Sequence, residues 1–235
     1  MNNQPIEKKV YRNGGALEVH SIFYTIQGEG PHTGKPAIFI RLAGCNLQCP
    51  GCDTDYTSTR RIMSPIAVRC EVDILKNDEW EVAPRPLVVI TGGEPFRQDI
   101  SVLCMLLLQG AYPVQVETNG TLPPPPNLSP KVEIVCSPKA GRINEELQPR
   151  ITALKYVVQA DKIERKDGLP TRVLEHPAAP VVAKPWPGYT GPIYIQPMDE
   201  GDIRTNRRNL QAAINSCMQH GHTLQLQIHK TIGLE

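Results

Sequence analysis

The sequence predicts a parallel α/β fold, a partial (β/α)6-type barrel forming a single domain over residues 1–235. Three observations carry this reading. Short apolar runs recur along the chain, segments of helical period separate several of them, and the run at Leu87–Thr91 is nearly continuous rather than alternating. Continuous runs suit strands covered on both faces, as in parallel sheets.

Residues 1–20 form a polar N-terminal arm, and the barrel begins at residue 21. Pro36–Gly44 (PAIFIRLAG) is the first strand and Leu87–Thr91 (LVVIT) the next, ending in Gly92-Gly93. Phe96 to Gln109 follows as a helix, with Phe96, Ile100, Leu103 and Leu107 at helical spacing and Gly110 as its stop. Pro113–Thr118, Val132–Ser137, Leu154–Val158 and Pro192–Pro197 continue the strands. Ile203–His220 is the clearest late helix, closed by Gly221, and Thr223–Lys230 alternates strictly, which predicts a last strand with one buried face. The prolines at 123–126 and the stretch from Pro177 to Pro192 are loops. A full eight-unit barrel is cramped in a chain of 235 residues, and about six strands fit better.

Hydrophobic residues make up 40% and charged residues 21%, the balance of a soluble globular protein. No apolar run suggests a membrane span and no secretory leader opens the chain, so a cytoplasmic protein is expected. The net charge of +1 and the lack of interleaved basic and aromatic residues argue against a nucleic-acid partner.

Seven cysteines is an odd number, and Cys45, Cys49 and Cys52 crowd together. This favours reduced thiols and a metal site over a disulfide framework. A C-x3-C-x2-C loop directly after a strand brings three thiolates to one cluster and leaves one iron of a [4Fe–4S] group without a protein ligand. Structural zinc is the alternative, with Cys70 or a histidine as fourth ligand. Cys70, Cys104, Cys136 and Cys217 otherwise read as ordinary thiols in or beside apolar stretches. On the first strand Ile38, Ile40 and Leu42 share one face, which sends Arg41 into the barrel. There it would meet either a substrate carboxylate or an internal Glu in a structural salt bridge.

The motifs QGEG (27–30), FIRLAGCNLQCPGCDT, TGGEP (91–95), VETNGT (116–121), SPK (137–139), QPMD (196–199) and a late HK resemble the 7-carboxy-7-deazaguanine synthases of the radical S-adenosylmethionine (SAM) superfamily, from about residue 21 to the end of the chain. The resemblance implies a radical SAM barrel and a lyase of queuosine (7-deazapurine) biosynthesis. That enzyme converts the small-molecule pterin 6-carboxy-5,6,7,8-tetrahydropterin to 7-carboxy-7-deazaguanine with loss of ammonia. Implied with it are a [4Fe–4S] cluster, SAM and Mg2+ as cofactors, flavodoxin or ferredoxin as reductant, and a homodimer.

Carried over residue by residue, the resemblance places Ile26, Gln27, Gly28, Glu29, Arg41, Thr91 and Glu235 at the substrate. Ile26, Gln27 and Gly28 would act through backbone groups and Glu235 through a terminal carboxylate. It places Gly51, Cys52, Asp53, Gly93, Ser137, Lys139, Gln196, Pro197, Met198 and Asp199 at SAM, and Thr54 at Mg2+. Taken alone, Thr54 could equally cap a helix, Gly92-Gly93 could be a simple turn, and Lys139 a surface lysine. Glu94 is expected to order its turn. Gly51 stands where the resembled proteins often carry an aromatic residue beside the adenine. A glycyl-radical activase shares the cysteine loop and is the rival enzymatic reading; a non-enzymatic metal scaffold or RNA-binding module is the other.

Overall fold

The computed structural model describes residues 2–79, 84–172 and 181–234. Among these residues the strands are β1 (Leu17–Ile26), β2 (Pro36–Leu42), β3 (Arg61–Met63), β4 (Leu87–Gly92), β5 (Val114–Thr118), β6 (Glu133–Cys136), β7 (Ala153–Val158), β8 (Ile193–Pro197) and β9 (Thr223–Leu224). The helices are α1 (Pro65–Glu79), α2 (Ser101–Gln109), α3 (Ile203–His220) and α4 (Ile228–Ile232). All strands join one open sheet in the order β3-β1-β2-β4-β5-β6-β7-β8-β9. From β2 to β9 every pairing is parallel, while β1 runs antiparallel to both β2 and β3. Six full parallel strands and a two-residue seventh make the expected partial barrel.

The apolar run of β4 is continuous because both its faces are covered there, with Val88 and Ile90 on one side and Leu87 and Val89, packed with Ala37, on the other. Ile38, Ile40, Leu42, Val88 and Ile90 are fully buried and join one apolar cluster with Val68 and Val72 of α1 and Leu103 and Leu107 of α2. Burying each such side chain stabilises the fold by roughly 1.5–3 kcal/mol. The opposite face carries Phe39, Arg41, Thr91, Glu117 and Lys155, which line a cavity. Strand period thus separates a core side from a site side.

Several expectations change. The sheet begins at Leu17, inside the expected arm, and β1, β3 and α1 were not foreseen. Leu17 and Val19 are buried beneath the same cluster, although the polar residues around them mask the signal. The helix expected over 96–109 is divided: Pro95–Arg97 is a 3-10 turn, Asp99 accepts from the Ser101 N–H at 2.9 Å, and α2 starts there. Phe96 and Ile100 are buried all the same, so their spacing reported burial and not one continuous helix. Gly110 ends α2 with an ordinary φ of −82°, and a side chain there would overlap the Arg69 guanidinium.

Helix α3 matches its expected bounds, capped by Asp202, which accepts from the Thr205 N–H at 2.8 Å, and closed by left-handed Gly221. The strand expected over 223–230 lasts only two residues before α4 begins at Ile228. Its alternation is inverted: Leu224 and Leu226 are 38% and 42% exposed, whereas Gln225 is 3% exposed. Among the described residues the β5–β6, β6–β7 and β7–β8 connections carry loops and no α-helix. The prolines at 123–126 lie in the first of these; of the loop expected over 177–192, residues 177–180 lie outside the described residues. No helix among the described residues is long and apolar enough to cross a membrane.

Arg97 and Glu18 form a buried ion pair, 2% and 1% exposed. Arg97 also donates to the carbonyls of Lys8 (2.7 Å) and Ala43 (3.0 Å). Burial alone would raise the Glu18 pKa, but Arg12, Arg97 and Arg60 together hold it below 4.5. That stabilisation is present above the unfolded value and is lost as pH falls through the lowered folded value. Arg97→Ala should therefore reduce the unfolding free energy by about 3 kcal/mol in urea melts at neutral pH. The deficit should shrink as the pH drops below 4.5.

Candidate active site

β2 ends at Leu42, and Gly44 turns the chain at a φ of +80° with the Arg97 guanidinium where a Cβ would stand. Cys45 follows at the C-terminal end of the parallel strands. Cys45, Cys49 and Cys52 line one cavity with Gly51, Asp53 and Thr54. Its other walls come from successive strand ends: Thr91 and Gly93, Glu117 and Asn119, Ser137 and Lys139, Lys155, then Gln196, Met198 and Asp199. Nearly the whole expected SAM set is thus brought together by one end of the sheet. Pro197 is the exception, and it does not line the cavity.

The three thiols fit a cluster with an open iron. None of the other four cysteines and, among the described residues, no histidine lines this cavity. Cys70 is exposed on α1, so the zinc alternative finds no fourth ligand there. Burial pushes the Cys45 thiol up to about 12 and raises Cys49 and Cys52, with Lys139 opposing the rise at the latter two. Metal binding must therefore displace protons from buried thiols, a step that a nearby cation assists. Lys139 Nζ donates to Ser137 Oγ at 2.5 Å; burial and Lys155 lower its pKa, opposed by the cysteines and Glu29.

The glycines of TGGEP have a packing reason of their own. A side chain on Gly92 would overlap the Leu42 carbonyl, and one on Gly93 the Gly44 carbonyl. This closeness lets Gly93 N–H donate to Leu42 O (3.2 Å) and Glu94 N–H to Gly44 O (3.1 Å). Glu94 is fully buried and accepts from the N–H groups of Phe96 (3.0 Å) and Asn119 (2.8 Å) and from the Thr118 hydroxyl (2.8 Å). It orders the turn, as expected, and also ties it to the end of β5. Burial pushes its carboxyl up to about 7, against these hydrogen bonds and the charge of Lys9, which lower it. Asn119 Nδ2 donates to Asn46 Oδ1 (2.9 Å), which fixes the cysteine loop to the same strand end.

A second compartment opens beside the first, and Glu29, Asp53, Thr54, Thr91, Glu117 and Lys155 line both. Ile26, Gln27 and Arg41 line the second. The Arg41 guanidinium lies 5.1 Å from the Phe23 ring centroid, and Phe23 stacks on Phe39 at 5.5 Å. Arg41 therefore faces the cavity with its plane supported by an aromatic ring. Gln27 has little backbone to offer: its N–H donates to Lys35 O and its carbonyl accepts from Gly34 N–H, each at 2.8 Å. Gly28 instead receives the His229 ring, whose position leaves no room for a Cβ. No helix starts at Thr54; its carbonyl accepts from Gln4 Nε2 at 2.8 Å. Glu235 lies outside the described residues.

The structure adds residues that the sequence reading left out. Lys155 joins Glu29 directly and Glu117 at 3.5 Å, and is buried between them. Burial would raise the Glu29 pKa, but Lys155 and Gln227 hold it below its ordinary value. A lysine between Leu154 and Tyr156 in a buried strand was the available signal. Gln227, donating to Glu29 Oε1 at 2.7 Å, and Lys230, 3.3 Å from Asp199 Oδ2, come from the segment expected to be strand.

The fold and the cysteine cavity define an iron–sulfur protein of the radical SAM class. Residues 26–115 match a family described as a 4Fe-4S single cluster domain. The chain is 40% identical over 228 residues to the 7-carboxy-7-deazaguanine synthase of Rickettsia prowazekii, covering 95% of this chain and 91% of that one. It is 39% identical over 228 residues to the enzyme of the same name from Rhodospirillum rubrum, covering 94% and 93%. The crystal structure of QueE from Escherichia coli shares the fold, with a TM-score of 0.67 at 24% identity over 90% of this chain and 93% of that one. The chain belongs to the 7-carboxy-7-deazaguanine synthase family.

Lys155→Met should leave Glu29 and Glu117 facing each other without their shared cation. A loss of about 3 kcal/mol is expected at neutral pH, shrinking between neutral and acidic pH as Glu29, no longer held down by the lysine, takes up a proton. Thermal melts of the metal-free protein across that range would check it.

Proposed function

We infer that this chain is a radical SAM lyase that converts 6-carboxy-5,6,7,8-tetrahydropterin to 7-carboxy-7-deazaguanine and ammonia. The observation that carries this reading is the continuity of the two compartments. Three thiols, with no fourth cysteine or histidine beside them among the described residues, open onto a cavity whose far side presents Arg41. When bound, the cluster and SAM supply the 5′-deoxyadenosyl radical that removes hydrogen from C6 of the pterin.

Cys45, Cys49 and Cys52 hold the cluster in this reading. Gly51, Asp53, Gly93, Ser137, Lys139, Gln196, Met198 and Asp199, all of which line the first compartment, would hold SAM. With Gly51 in place of an aromatic side chain, backbone or another side chain would meet the adenine. Arg41 pairs with the substrate carboxylate in a bidentate contact, and Thr91, its register partner on β4, stands beside it. Glu29 faces the guanidine-like edge of the pterin and exchanges part of its contact with Lys155 for that partner. Gln27 and Ile26 shape the wall. Thr54 is the proposed protein ligand to Mg2+, beside Asp53, in an oxygen-rich site that suits a hard cation.

The whole chain acts as one functional domain in the cytoplasm, reduced by a flavodoxin or ferredoxin and working as a homodimer. The family assignment favours this pterin chemistry over activation of a protein partner.

Anaerobic protein supplied with iron, sulfide, reductant, SAM, Mg2+ and the carboxypterin should release 7-carboxy-7-deazaguanine, identified by chromatography and mass. Cys49→Ala should abolish both iron uptake and product. Arg41→Lys should raise KM for the carboxypterin about tenfold, since an ammonium loses the bidentate geometry. Reductive cleavage of SAM with no deazaguanine would support the activase reading instead.

A further inference from the structure

We propose that residues 2–7 are a strap that fixes the shape of the cysteine loop, with Gln4 as its positioning residue. The segment from Asn46 to Tyr56 has almost no regular backbone pairing of its own, so its polar groups need partners from elsewhere. The arm supplies them. Gln4 Nε2 donates to the Thr54 carbonyl at 2.8 Å, while its Oε1 accepts from the Tyr56 N–H at 2.8 Å and the Thr57 hydroxyl at 3.1 Å. One carboxamide thereby pairs with alternate residues just past the last cysteine, as a neighbouring strand would.

The rest of the arm covers the other cysteines. Gln48, between the first two, donates through Nε2 to the Gln4 carbonyl at 2.8 Å. Asn2 donates from its backbone N–H to Pro50 O (3.2 Å) and from Nδ2 to Cys49 O (3.2 Å) and the Tyr56 hydroxyl (3.3 Å). Its Oδ1 accepts from the Gln4 backbone N–H (2.9 Å) and from Gln4 Nε2 (3.1 Å), which fixes the Gln4 side chain. Ile6 bridges to Cys45 in parallel fashion, and Glu7 N–H donates to Cys45 O at 2.7 Å.

Neither Asn2 nor Gln4 lines the cavity, so they act through the loop and not on the reactants. The chemistry at position 4 is specific. Thr54 presents an acceptor and Tyr56 a donor, and only a side chain with both serves both. A carboxylate would set an oxygen against the Thr54 carbonyl, and a thioether would leave both groups unmet. A loop held this way opens less often, which would slow the attack of dioxygen on a cluster held there.

The proposal rests on the cysteine loop being the cluster site, and the test separates the two. Wild-type, Gln4→Met and Asn2→Ala proteins are loaded with cluster anaerobically. Iron content, the electron paramagnetic resonance signal of the reduced cluster with and without SAM, and the rate of visible bleaching in air are compared. Melting of the metal-free forms is the control for general stability. The strap predicts metal-free melting close to wild type in both variants, with bleaching about tenfold faster for Gln4→Met and a broadened signal. Bleaching and signal equal to wild type in both variants would overturn it. So would loss of cooperative melting before metal is added, because the arm would then be an ordinary part of the fold. A wild-type protein that takes up no cluster would sink the reading of the site and the strap with it.

Discussion

The site depends on one buried guanidinium. Arg97 follows the TGGEP turn, pairs with Glu18 of β1, and binds the carbonyl of Ala43 where β2 hands over to the cysteine loop. It also accepts the arm, through its bond to Lys8 O and through Val10 N–H, which donates to Arg97 O at 2.9 Å. Four chain segments distant in sequence thus meet at one cation. Such a group is costly to bury, and the structure offsets the cost with the carboxylates of Glu18 and, at 3.3 Å, Glu7 and with two carbonyls. In return, the direction in which Gly44 leaves the sheet is set, and with it the position of Cys45.

Around that anchor the sheet's two faces have separate duties. The aliphatic face of β2 and β4 packs on α1 and α2, and the opposite face gathers Arg41, Thr91, Glu117 and Lys155 over one floor. The sheet is open, yet its two sides are linked beside the site by side chains. Gly30, after β1, donates to Gln225 Oε1 at 2.6 Å, and Gln225 Nε2 donates to Gln196 of β8 at 2.6 Å. Gln227 reaches Glu29 across the same gap. The QGEG turn and the C-terminal segment therefore form one wall, although nearly two hundred residues lie between them in sequence.

Much of this is legible in the sequence. Recurring short apolar segments mark β2 and β4 to β8, continuous in β4, and α3 is marked by its apolar face and its closing glycine. The cysteine loop announced itself by spacing. Elements whose identity rests on tertiary contact were hidden. β1 mixes His, Ser and Thr into its run because it lies toward the edge of the sheet, flanked on one side only by three-residue β3. The Phe96–Gln109 pattern encoded burial, but the 3-10 turn at Pro95–Arg97 is imposed by Glu94 and Arg97 reaching other segments. Lys155 was missed because a single lysine in a strand has no partner in the sequence; Glu29 and Glu117 become its neighbours only after the barrel curls.

The inverted strand near the C-terminus has a consequence for chain length. In extended backbone, adjacent side chains point to opposite sides. Aiming Gln225 inward therefore forces Leu224 and Leu226 outward, and their exposure is the geometric shadow of one polar contact. The stretch between Gly221 and Gln225 is under a parity rule. Gaining or losing one residue would turn the leucines toward the polar wall and swing the glutamine into solvent, whereas a change of two would restore the original facing.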